Sequence, residues 1–406
     1  MRTCQATANY NLVMKVGILL SGRYPTEKAY GVTTNGTIQS LLDLGHRVIV
    51  FGIVSKYIED RSTQENLTIL NYEENFVALF LKRIAFKRHG KVNAFAWFLY
   101  WKCVKYINKN SISKLNLDLL WIRNVQMLDF SFAASLIILE IHELVKKSKL
   151  MQSINRSNPA SILLAPISKI LYQDLREMNT GLSLTYAPMG VESRVIASPE
   201  STVEFITRLR EKTLSDSIKI EVGYVGKFFP NGYSKGVEDI IKLAKENRER
   251  KGELRISLTG GMEKEISQVN RLAKDCNLSS KDLEINSHLS HKLALIKMKN
   301  LDVIILPKYE SKSYVGFPVK CIEAIATGRI VIAAKCMIYD QIFTEKYQPY
   351  WYESGSGNSL YESIQRALSD EDLEARINLG LEFALQFTWD IRISNILRDC
   401  HKDKLG

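Results

Sequence analysis

The sequence predicts an α/β protein built from two doubly wound domains in tandem, and three observations carry that prediction. Residues 15–22, KVGILLSG, form a short apolar run ending in small residues, the mark of a strand buried on both faces of a parallel sheet. A helical segment, Gly45-His46 and a second apolar run at 47–53, RVIVFGI, complete a strand–helix–strand unit. The same pattern restarts at residues 218–225, IKIEVGYV.

Each element follows in order. In the first half a helix is expected over about Thr33–Leu44, stopped by Gly45, with further strands at Leu119–Ile122, Leu136–Glu140 and Ser161–Ala165. In the second half, Gly226-Lys227 follows the first strand and a helix spans about Val237–Asn247. Then come a strand at Leu254–Leu258, Gly260-Gly261, a helix to Cys276 and a strand near Leu283–Ile285. A helix at Lys292–Met298 precedes the strand Val303–Leu306; Pro318 opens a helix that stops at Gly328, and Ile330–Ala333 is the next strand. Residues 373–399 read as helices broken near Phe387-Thr388-Trp389. The expected limits are 14–195 for the first Rossmann-like domain and 216–380 for the second, with 381–406 a helix packing back towards the first. Ligands in such sheets bind outside the carboxyl ends of the strands, so a cleft between the two sheets is the expected site.

The totals narrow the class. At roughly 100–200 residues per domain, 406 residues suit two domains. Six scattered cysteines with no CxxC pair fit neither a disulfide framework nor a zinc knuckle, and suit reduced thiols in the cytoplasm. The start lacks a signal-peptide pattern, Met14 is an alternative initiator, and no apolar run is long enough for a membrane span. A net charge of +11 implies an anionic partner. Residues 75–117 hold nine Lys or Arg and no acid. Within them, 79–109 also carry Phe95, Trp97, Phe98, Tyr100 and Trp101. That stretch reads equally as a peripheral contact with an anionic membrane or as a helix whose aromatics fill the first core. No recognised nucleic-acid module is present, so no nucleic-acid partner is expected.

Two segments carry chemistry. Lys227 directly follows a strand, and Lys235-Gly236 precedes a helix, which suits stabilisation of a diphosphate, although two solvated lysines fit the spacing as well. In GFPVKCIEAIATG, residues 316–328, Gly316 allows close backbone approach and Pro318 suits a first helical turn whose N–H groups can hold phosphate. Glu323 on that helix is suited to vicinal hydroxyls of a ribose; the plainer alternative is a surface glutamate.

These segments resemble the large retaining glycosyltransferase family of GT-B fold often called family 4, or group 1. The resemblance spans nearly the whole chain: KVGILLSGRYPTEKAYGVTT, LLDLGHRVIVFG, LLWIRN, LEIHE, APISKILYQDL and YAPMGVES in the first half. In the second half it rests on YVGKFFPNGYSKGVEDIIKLA, ISLTGG, LDVIILP and GFPVKCIEAIATGRIVIAA. It implies a transferase moving a sugar, of hexosyl type, from a nucleotide-diphosphate sugar to a glycan or lipid-linked acceptor, in polysaccharide or glycolipid synthesis. The place of action is the cytoplasm, at the inner face of the membrane. By the same resemblance, Lys227 and Lys235 contact the donor diphosphate and Glu323 the nucleotide ribose. Gly316, Phe317, Pro318, Val319 and Lys320 form the loop and helix start over the phosphates. Gly31 belongs to the glycine-rich loop after the first strand, and His142 contacts the transferred sugar. Arg123, after LLWI, is a candidate for an acidic acceptor or phosphate, or for a salt bridge.

One departure matters. The first glutamate of the family's E-x7-E motif falls at Val315, and the chain instead resembles a P-x-K-x-x-E variant. Lys320 approaching the phosphates and Glu310 supplying a carboxylate are the candidate substitutes. The implied transfer retains anomeric configuration, names no catalytic base and needs no cofactor beyond its donor. The only Asp-x-Asp string, Asp370-Glu371-Asp372, lies in a polar stretch near the C-terminus and reads as a solvated helix start, so no metal is expected. The alternatives are a sugar-nucleotide epimerase of the same fold and a non-catalytic homologue. A nicotinamide-dependent oxidoreductase is disfavoured, because the first strand–helix loop lacks G-x-G-x-x-G.

Overall fold

The computed structural model describes residues 13–24, 29–54, 65–71, 113–125, 127–128, 134–157, 161–215, 217–250, 252–308 and 315–405. The basic aromatic stretch 79–109 and Glu310 lie outside the described residues. The chain divides into two compact units: residues 1–188 together with 392–406, and residues 189–391. The limits drawn from sequence differ, since 189–195 and 381–391 belong with the second unit.

The first unit runs β1 (Lys15–Tyr24), α1 (Ala29–Asp43), β2 (Arg47–Val54), β3 (Leu67–Asn71), β4 (Leu117–Ile122), β5 (Ala134–Ile141), α2 (Lys147–Ser157), β6 (Ile162–Pro166), α3 (Lys169–Glu177) and β7 (Ser183–Leu184). Its seven strands are parallel in the order β3-β2-β1-β4-β5-β6-β7. The order reverses beside β1, so the loops after β1 and β4 diverge and leave a crevice at the carboxyl ends of the strands. β4 and β5 are buried almost throughout, as apolar runs in a doubly wound sheet must be. Glu140 is the exception in composition: it is a charged residue in the buried part of β5.

The second unit runs α4 (Pro199–Thr213), β8 (Ile220–Val225), α5 (Val237–Glu249), β9 (Leu254–Gly261), α6 (Glu263–Asp275), β10 (Glu284–Ser287), α7 (His291–Lys299), β11 (Val303–Leu306), α8 (Val319–Ala326), β12 (Ile330–Ala334), α9 (Met337–Asp340), β13 (Tyr350–Tyr352), α10 (Gly357–Leu368) and α11 (Leu373–Leu385). Its strands, also parallel, are ordered β10-β9-β8-β11-β12-β13, with the reversal between β8 and β11.

The final helix, α12 (Trp389–Leu405), starts in the second unit and from Arg392 belongs to the first. Ile393, Ile396, Leu397 and Cys400 join β1, β2, β4, β5 and β6 residues in the first unit's core. The helix break expected near Phe387-Thr388-Trp389 lies between α11 and α12, where Val191 and Thr388 form a parallel bridge. No helix among the described residues is long and apolar enough to cross a membrane.

Candidate functional site

In the second unit, the groups expected to hold phosphate lie on loops at the carboxyl ends of β8, β9 and β11. Two glycines let those loops close on one another. Gly236 has φ +70°, and a Cβ there would stand 2.7 Å from the Lys308 carbonyl oxygen, just past β11. Gly260 has φ +126°, and a Cβ there would meet the Gly226 carbonyl oxygen at 2.3 Å. Both positions therefore demand glycine for conformation and for room. Lys227 is exposed just beyond β8. Lys235 is half-buried immediately before α5, and its N–H donates to the Phe228 carbonyl at 2.9 Å. Burial pushes the Lys235 ammonium down to about 8, with only partial relief from the nearby Cys336. A cation that has lost its hydration gains more from an arriving anion than a solvated lysine does.

Glu323 is buried on α8, not on the surface. His291, the first residue of α7, places Nε2 2.6 Å from Glu323 Oε1, and Lys320 Nζ lies 2.9 Å from Oε2. Burial opposes ionisation of this carboxyl, but Lys320 and His291 outweigh it and hold it at about 2. Oε2 is closed to solvent and has the Lys320 ammonium as its counter-ion. The carboxylate that sequence reasoning offered to two ribose hydroxyls thus has both oxygens engaged, and Lys320 points to Glu323.

The start of α8 departs from expectation in a second way. Pro318 has no N–H, the Val319 N–H donates to the Phe317 carbonyl at 3.0 Å, and the Cys321 N–H donates to the Pro318 carbonyl at 2.9 Å. Phe317 is buried against Phe387, with ring centroids 5.6 Å apart, so its side chain serves the core.

In the first unit, Gly31 lies in the first turn of α1, which begins at Ala29, and so is not part of a loop. The helix expected from about Thr33 begins earlier, at Ala29. Arg123 is engaged in a salt bridge: its Nε lies 2.9 Å from Glu140 Oε1, and its Nη1 donates to Thr34 Oγ1 at 3.1 Å and to the Tyr30 carbonyl at 3.3 Å. The guanidinium carbon stands 4.9 Å from the Tyr30 ring centroid. His142 follows β5, and its Nε2 meets Glu140 Oε1 closely and Arg123 Nε at 3.1 Å. Its Nδ1 bonds to nothing among the described residues, and the side chain keeps 28% of its surface exposed.

The centre of this cluster is Glu140, which sequence reasoning passed over. Burial disfavours its charge, yet Arg392, Arg123 and His142 together hold the carboxyl well below the usual range. Burial also lowers the His142 imidazole, Glu140 opposing and the arginines adding. Removing one partner of a fully buried pair such as Glu140–Arg392 costs about 3–5 kcal/mol. A lone acid inside an apolar strand, LIILEI, was the signal that could have found it. His291 had none beyond following Ser290, whose hydroxyl caps α7. Asp370 accepts from the Tyr350 hydroxyl, from Arg376 Nε at 3.1 Å and from the Asp372 N–H at 2.9 Å, so the first acid of the Asp-x-Asp string has structural partners. Among the described residues, no three His, Cys, Asp or Glu side chains gather as metal ligands.

Residues 205–379 match the family model "Glycosyl transferases group 1". N,N'-diacetylbacillosaminyl-diphospho-undecaprenol alpha-1,3-N-acetylgalactosaminyltransferase of Campylobacter jejuni is 30% identical over 134 residues, which is 31% of this chain and 34% of that protein. The matched part thus spans about a third of the relative's length. Among solved structures, Anabaena HepE in complex with UDP and glucose superposes with a TM-score of 0.64 at 13% identity, over 96% of this chain and all of that one. Sucrose-phosphate synthase of Thermosynechococcus elongatus gives 0.66 at 14%, over 96% and 98%. A glycosyltransferase of Rickettsia africae gives 0.65 at 16%, over 95% and 97%. The two parallel sheets and these likenesses establish the GT-B fold, and the match to the group 1 glycosyl transferase model falls within the second unit.

Proposed function

We propose that this chain is a glycosyltransferase that passes a sugar of hexosyl type from a nucleotide-diphosphate sugar to a glycan or lipid-linked acceptor, with retention, without a metal ion and without a further cofactor. Polysaccharide or glycolipid synthesis at the cytoplasmic face of a membrane is its setting. The observation that carries this reading is that the residues matching the group 1 model hold both Glu323, a buried carboxylate engaged by His291 and Lys320, and the half-buried Lys235 ahead of α5.

Lys227 and Lys235 stabilise the departing diphosphate, which is where negative charge develops. The Gly316 and Lys320 N–H groups beside the start of α8 add two donors. Ribose hydroxyls displace Lys320 from Glu323 Oε2, and the freed ammonium turns to the phosphates. His142 meets the transferred sugar through its open Nδ1 edge. The acceptor hydroxyl gives its proton to the leaving phosphate oxygen, so no separate base is needed. A UDP-sugar is the donor class to try first, since HepE was solved with UDP and glucose, and the Campylobacter relative is named for a diphospho-undecaprenol acceptor.

The test is a thermal-shift and calorimetric screen of UDP, GDP, ADP and their sugar conjugates, with Lys235→Ala and Glu323→Ala in parallel. Binding of one nucleotide that both variants lose supports the donor site. A folded wild-type protein that binds none of them sinks the reading. Binding without any turnover on lipid-linked acceptors makes the chain a non-catalytic homologue, consistent with Val315 in place of an acid.

A further inference from the structure

His142 and Arg123 both rest on one oxygen of Glu140, and the other oxygen is held from far along the chain. Arg392, near the start of α12, places Nη2 2.6 Å from Glu140 Oε2. Its Nε donates to the Ala187 carbonyl at 3.4 Å, and its guanidinium carbon lies 5.5 Å from the Trp121 ring centroid. The Trp121 indole N–H donates to the same Oε2 at 3.2 Å. Arg392 is 1% exposed and Glu140 2%. Packing alone does not account for an arginine here. Ile393, Ile396 and Leu397 beside it show what this face of the helix packs, and a buried ion pair is often no more stable than apolar residues of similar volume.

The geometry points to Arg392 as a positioning residue for His142: by filling Oε2 it turns Oε1 of Glu140 towards His142 and Arg123, and so fixes the imidazole with its Nδ1 edge open. A carboxylate torsion is broad and its two oxygens are equivalent, so what Arg392 fixes, together with the Trp121 indole N–H on the same oxygen, is the plane of the carboxylate and hence where its other oxygen meets the histidine. The arginine also balances Glu140's charge, which keeps the imidazole from being drawn into the protonated form. The described groups that face His142 are Glu140 from β5, Arg123 from the loop after β4, Arg392 from α12 through Glu140, and Tyr30 of α1 through Arg123. The value of this arrangement for transfer rests on His142 touching the donor sugar, as proposed above.

The experiment is a pH titration of the histidine ring nitrogens in the full-length, nitrogen-15-labelled protein, with the His142 signal identified by its loss in His142→Gln. Arg392→Met is expected to move the His142 titration up by about one pH unit, because an uncompensated carboxylate then faces it. Glu140→Gln is expected to move it down, because two arginines remain. Arg392→Lys is expected to recover most of the wild-type titration by restoring the charge. A purely structural Arg392 would alter folding without these opposite shifts. An unchanged His142 titration in folded Arg392→Met overturns the proposal. If that variant does not fold, an unchanged titration in Glu140→Gln overturns it instead. A wild-type protein that turns over no nucleotide sugar, while its His142 titration still follows Arg392, removes the functional reading and upholds the positioning.

Discussion

The carboxylate of Glu323 and the imidazole of His291 meet at 2.6 Å, so the helix that follows β10 anchors the acid on the helix that follows β11. Two loops that enter the candidate donor site are thereby joined by one side-chain contact.

The Lys320 ammonium and that contact together set an acid limit on stability. The Glu323 carboxyl is held at about 2 in the folded chain, below its ordinary 4.5. A depressed carboxyl contributes stability above the unfolded value, and the contribution is lost as pH falls through the folded one. At 1.36 kcal/mol per pH unit this amounts to roughly 3 kcal/mol, present at pH 7 and fading between about 4.5 and 2. Denaturant midpoints of wild type and Glu323→Gln should differ at pH 7 and converge towards pH 2. A difference that persists unchanged at low pH would contradict the ion-pair account.

Lys235 predicts the opposite limb. Its ammonium is held at about 8, below 10.5, so burying the charge destabilises the fold at neutral pH and is relieved as pH rises between the two values. Nucleoside diphosphate binding, in contrast, needs the charge and should weaken above pH 8 in calorimetry. Lys235→Arg should keep its affinity over that range, and Lys235→Ala should lose about tenfold or more at pH 7.

His142→Ala should separate chemistry from binding. Turnover of a nucleotide sugar is expected to fall by about 10²-fold, the scale of a lost catalytic side chain, with nucleoside diphosphate affinity within about twofold of wild type. Equal loss in both would place the histidine's role in folding.

Gly260→Ala should be the costliest small substitution at the donor loops. A Cβ would press on the Gly226 carbonyl oxygen at a backbone angle that side chains seldom adopt. A loss of about 2 kcal/mol or more in thermal or denaturant unfolding is expected. Gly252→Ala, at φ +67° with nothing within 4 Å, should cost less because only the conformation opposes it.

The alternation of apolar runs and helices made both sheets legible, because parallel strands buried on two faces carry an unbroken signal. β3, β7 and β13 were missed; β13, with three residues, and β7, with two, are runs too short to show a period. The lysines and Glu323 could be read because they sit beside glycine and proline, whose backbone needs are local. The engagement of Glu323 by His291 and of Glu140 by Arg392 could not, since each joins segments that only the folded sheet brings together. Gly31 was placed in a loop because the helix was expected only from about Thr33, whereas it begins at Ala29.

Arg392, Ile393, Ile396 and Leu397 complete the first unit, yet they are synthesised only after the whole of residues 189–391. During translation the first sheet therefore emerges with its core unsealed and the Glu140 carboxylate lacking its buried counter-ion, while the second unit can close on itself. A nascent chain stalled before Arg392 therefore lacks Ile393, Ile396 and Leu397 and leaves that apolar seam open to chaperones.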